Sequence, residues 1–112
     1  MSVVTEKRLK DRSGSVCEIS GSDENLVVYI VEPKTEAIPE NCILITKQLR
    51  DQIENKDLMN ANDWRGLSDS MWNENLPVQI VSWRMLARLK NHDLLEMMYL
   101  DEDALEWAKA TG

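Results

Sequence analysis

A chain of 112 residues with 43% hydrophobic and 29% charged side chains has the size and balance of one globular domain. That balance excludes disorder throughout, and surface scaling buries roughly two-thirds of the unfolded chain's surface, enough for a core without a metal or disulfide staple. The net charge of −7 opposes broad contact with a phosphate backbone, and the acidity is uneven: residues 1–56 carry a net −2 and residues 57–112 a net −5.

The chain opens on Lys7, Arg8, Lys10 and Arg12 among polar neighbours, without a long apolar run. This predicts a basic, flexible arm or a frayed first element over residues 1–14 and no signal peptide, with one α+β domain over residues 15–112. Ser15–Ser20 has β-branched residues and ends at Gly21, which predicts a strand. The turn-forming cluster 21–25 then leads into Leu26–Val31, six apolar residues in a row. A continuous apolar strand is covered on both faces, and the two segments together read as a hairpin.

Pro33 and Pro39 bracket a connector. Asn41 is a helix cap by residue type, and 42–45 reads equally as a third strand or a helix start. Ile45, Leu49 and Ile53 share one helical stripe, so a helix is expected over about 46–54. Leu67–Trp72 fits a short helix. Pro77 suits the first turn of a helix running from about Val78 to Lys90. Asp93, with Glu96 three residues on, fits the cap of a helix reaching Tyr99. Asp101, Glu102 and Asp103 suit the positive end of a last helix ending at Thr111-Gly112. A small antiparallel sheet followed by three to five short helices makes the fold class α+β.

Motifs for chemistry are sparse. His92 is the single histidine; Cys17 and Cys42 form no CxxC pair, so a zinc site lacks its ligands and both cysteines are expected as reduced thiols. Walker, dinucleotide and EF-hand loops are absent. No catalytic residue, metal or cofactor is assigned. Arg84, Arg88 and Lys90 lie near one helix face, which admits a helix-turn-helix over residues 83–99 as an alternative. Six acids and no base between 93 and 106 oppose it, because a recognition helix there meets phosphates with like charge.

Large side chains are distributed asymmetrically. Trp64, Trp72, Trp83 and Trp107 all lie in the second half, as do Met59, Met71, Met85, Met97 and Met98. Tryptophan is enriched at binding hot spots and methionine at surfaces that re-pack around a partner. The expectation is a non-enzymatic cytoplasmic binding module: an adaptor, inhibitor or regulator with the size and composition of immunity-type and phage-type proteins. It acts by stoichiometric binding through its helical half, at Trp72, Trp83, Met97, Met98, Asp101, Glu102, Asp103 and Glu106. The expected partner is another protein with a basic surface. A membrane is excluded, nucleic acid is disfavoured, and a homodimer or an enzyme subunit remains an alternative.

Overall fold

The computed structural model describes residues 3–110. Two antiparallel strands, β1 (Leu26–Ile30) and β2 (Cys42–Thr46), pair in the register Leu26↔Thr46 to Ile30↔Cys42. Helix α1 (Val3–Ser13) precedes them. Five helices follow: α2 (Lys47–Glu54), α3 (Leu67–Ser70), α4 (Leu76–Arg88), α5 (His92–Met97) and α6 (Glu102–Lys109). Short 3₁₀ turns at 39–41, 56–58 and 61–64 join them. This is the α+β class expected from the sequence, and the expected helix end at 111–112 lies outside the described residues.

The pleat sorts β1 into two faces. Leu26, Val28 and Ile30, with Cys42 and Leu44 of β2, pack around Leu9 of α1. Val27 and Tyr29, with Ile43 and Ile45, join the main core beneath the later helices. The apolar strand is thus covered on both sides. Cys17 and Cys42 are both buried free thiols, and they fall in different core clusters.

Two expectations in the first 25 residues are corrected. Residues 3–13 form a docked helix rather than a flexible arm. Leu9 is completely buried, and Arg12 ties the helix down with a bidentate pair to Glu18, Nε–Oε1 and Nη2–Oε2 both 2.8 Å. Arg12 Nη2 also donates to the Cys42 carbonyl at 3.0 Å, and Nη1 to that of Pro39 at 3.1 Å. The Glu18 side chain is only 2% exposed, so this is an ion pair inside the fold and not a solvated arm.

Ser15–Ser20 is not a strand. Cys17 N donates to Ser22 O (2.7 Å) and Gly21 N to Cys17 O (2.9 Å), closing a tight turn in which Gly21 takes φ +78°. That turn touches β2 through Glu18 N→Leu44 O at 2.8 Å. Cys17 and Ile19 point inward at a spacing of two, which imitates a strand. The partner of β1 is therefore the 42–46 segment, and Asn41 ends a 3₁₀ turn instead of capping a helix.

The helices follow local chemistry. Thr46 Oγ1 caps α2 by accepting from Leu49 N (3.2 Å). Asn91 caps α5 through Leu94 N (3.3 Å), displacing Asp93 from the expected cap to the second position of the helix. Asp101 Oδ1 caps α6 through Ala104 N (2.8 Å). Helix α4 is central: it packs on α3, α5, α6 and β2, with Val78, Ile80, Val81, Met85 and Leu86 buried. No helix among the described residues is long and apolar enough to cross a membrane.

Candidate functional site

The residues singled out from the sequence separate into two regions, with Trp72 apart from both. The first is the connection from α5 to α6. Met98 leaves α5 in extended geometry, φ −80° and ψ 132°, and exposure then alternates along the chain. Met98 and Leu100 are half-buried against the main core, whereas Met97 (56% exposed), Tyr99 (88% exposed) and Asp101 face outward. Met97, the last residue of α5, and Tyr99 and Asp101 beyond it are thus the exposed residues that alternate with the anchored Met98 and Leu100. Glu102, Asp103 and Glu106 are exposed on the helix that follows. Among the described residues neither these three carboxylates nor Asp101 is in an ion pair. Met98 belongs to the support of this stripe, and Tyr99, read from the sequence as one more residue of a helix, is its most exposed member.

Trp83 lies elsewhere. It is half-buried on α4 and lines a groove of about 490 Å³ with Ala87 and Ala108. The groove's charged members are Lys56, Arg84, Arg88, Lys90 and Lys109, every one basic. Trp83 therefore sits among charges of opposite sign to the acids with which it was grouped.

Two of those cations also serve the fold. Arg84 Nε donates to the Ala108 carbonyl at 3.0 Å, and its Nη2 donates to the carbonyls of Trp107 and Glu32, closing the C-terminal end of α6. Arg88 Nη1 donates to the carbonyls of Gln52 (2.9 Å) and Ile53 (3.3 Å), near the end of α2. Both donate to carbonyls in the last turn of a helix, where acceptors lack the usual i+4 donor. Burial pushes the Arg84 guanidinium below its ordinary value, against the opposing effect of Tyr29 and Glu32.

The other tryptophans divide by environment. Trp64 is buried and donates to Gln52 Oε1 at 2.8 Å. Trp107 is half-buried, with Nε1 3.1 Å from the Glu32 carbonyl and Lys34 Nζ 5.2 Å above its ring. Trp72, just beyond α3, is 58% exposed. His92 is exposed at the start of α5, far in burial from the two enclosed thiols, and the described residues include no group of three or more metal-ligating side chains. Lys56 and Lys109 were missed from the sequence, since nothing along the chain marks two lysines 53 positions apart as neighbours.

Comparisons with known protein families, with curated proteins and with solved structures find no match.

Proposed function

We propose that this protein is a cytoplasmic, non-enzymatic binding module that acts by stoichiometric docking of its helical half onto another protein with a basic surface. The observation that carries the reading is the outward stripe Met97–Tyr99–Asp101, continued by Glu102, Asp103 and Glu106. An exposed methionine at the end of α5 and an exposed tyrosine in the segment after it, where Met98 and Leu100 anchor in the core, resemble interface hot spots ringed by polar groups. The unpaired carboxylates supply long-range attraction for a basic partner and chiefly raise the association rate. Trp72, exposed at the far side of α3 in sequence, is a further anchor of the same kind.

The test is affinity capture from the source organism with the intact protein, followed by reconstitution of the purified pair. The reading expects a defined complex with a basic protein, weakening as salt rises. Self-association without a second protein identifies a homodimer instead, and turnover of a substrate by the purified chain overturns the non-enzymatic reading.

A further inference from the structure

The groove around Trp83 has a charge that the rest of the molecule does not share. Its five cations are Lys56, Arg84, Arg88, Lys90 and Lys109. The remaining eight basic and twenty acidic side chains carry a net −12. Among the described residues none of the five is in an ion pair.

Helix geometry accounts for part of this clustering. The C-terminal ends of α2, α4 and α6 all approach the groove, and each is equivalent to about half a negative charge. Together they offset roughly 1.5 of the five positive charges. Glu32 and Glu54 share the neighbouring pocket at Tyr29 with Arg84 and Arg88, so the excess positive charge rests chiefly on Lys56, Lys90 and Lys109. The two arginines also keep donors free. Among the described residues Arg84 Nη1, and Arg88 Nε and Nη2, make no hydrogen bond, while their other nitrogens hold both guanidinium groups in place. Fixed arginine forks suit phosphate oxygens.

We propose that this groove binds a nucleotide, with the base against Trp83 and a di- or triphosphate among the five cations. Three features select that ligand class. The volume of about 490 Å³ lies in the range of small-molecule sites. An indole with the small side chains of Ala87 and Ala108 gives a planar ring a surface to cover. Five cations, three of them lysines, around one small volume suit a ligand with several negative charges close together; a phosphate chain supplies them, whereas an acidic peptide spreads one charge per residue over ~3.3 Å or more. A nucleic-acid strand running beyond the groove meets the net −12 of the remaining chain, so the site favours a compact anion over a polymer.

The experiment is calorimetric titration of the intact protein at low salt with ADP, inorganic pyrophosphate, adenosine, an acidic octapeptide and a short oligodeoxynucleotide. ADP is expected to bind one-to-one, at least about tenfold more tightly than pyrophosphate or adenosine, the scale of one stacking contact. The Lys90→Glu/Lys109→Glu variant alters two exposed side chains without a structural partner; it should keep its circular dichroism and lose at least about tenfold in ADP affinity, as reversal of charge in a focused site requires. Trp83→Leu should bring ADP down to the affinity of pyrophosphate. The proposal is overturned if ADP binds no better than pyrophosphate, if the octapeptide or the oligonucleotide outcompetes it, or if the lysine variant binds ADP as the unaltered protein does. Should Trp83→Leu fail to fold, the lysine variant and the ligand ranking decide alone.

Discussion

Gln52 Oε1 accepts a hydrogen bond from the buried indole of Trp64 at 2.8 Å and a second from Asn60 N at 2.8 Å, while Gln52 Nε2 donates to Asp63 Oδ2 at 2.8 Å. One amide on α2 thereby organises the irregular segment between α2 and α3. Gln52 is itself buried, so water cannot replace these bonds. Gln52→Leu keeps the volume and orphans two donors. It should cost about 1–3 kcal/mol for each donor that stays buried, measured as a fall in the urea midpoint. An unchanged midpoint would show that the segment is held by other contacts.

Helix α1 is integral to the fold in this account. Leu9→Ala should destabilise the protein by about 2–5 kcal/mol, the range for truncating an enclosed leucine. Arg12→Met should also destabilise, because it strands the Glu18 carboxylate in a buried position. Deletion of residues 1–13 that leaves thermal stability intact would restore the picture of an arm.

Gly66 has φ −70°, a conformation alanine adopts freely, so chain entropy alone would favour Gly66→Ala by about 0.4–1 kcal/mol. Space decides otherwise. A Cβ there would sit 2.1 Å from the Ile19 carbonyl oxygen, a backbone atom in the tight turn after α1. Overpacking of this sort costs about 1–3 kcal/mol, so the variant should be destabilised in thermal or urea unfolding. A gain in stability would mean that the turn yields.

Stability should fall in alkali. Burial pushes the Cys42 thiol above its ordinary 9.0, opposed by nearby Arg12, and burial with help from Glu32 pushes the Tyr29 hydroxyl above its ordinary 10.0. A raised folded-state value means that the unfolded chain loses the proton first. The contribution is intact below the unfolded value and is lost as pH climbs through the folded one. Urea midpoints should therefore hold to about pH 8 and decline from about pH 9, where the unfolded thiol ionises. Cys42→Ala should flatten the early part of that decline. A midpoint that rises between pH 8 and 10 would contradict the assignment.

Much of the fold was readable because its signals are local. The Leu49–Ile53 spacing, Pro77 at the start of α4 and the acids opening α6 each announce a helix within a few residues, although Ile45, read on the same stripe, falls in β2. The errors fall where the deciding partner is distant or the pattern ambiguous. Cys17 and Ile19 alternate like a strand, and only the Cys17–Gly21 and Cys17–Ser22 bonds make them a turn. Helix α1 reads as a solvated arm until Arg12 meets the buried Glu18 and Leu9 meets Cys42 and Leu44. The candidate surfaces divide in the same way. The acids from Asp101 to Glu106 are visible as a run, whereas the exposure of Tyr99 depends on where α5 stops, and the basic groove is assembled from α4, α6 and the turn after α2.

The measurement that bears most directly on the proposed function is the kinetics of partner binding by two sets of variants. Glu102→Lys/Asp103→Lys/Glu106→Lys leaves the Asp101 cap in place, so α6 should stay folded, each lost helix-terminal acid costing no more than about 1 kcal/mol. Its association rate should drop and lose its salt dependence, with dissociation little changed. Met97→Ala and Tyr99→Ala should act on dissociation, the tyrosine change costing about 2 kcal/mol or more as a central anchor. If both sets bind as the unaltered protein does while Lys90→Glu/Lys109→Glu abolishes the complex, the partner engages the basic groove and the acidic stripe is not the docking surface.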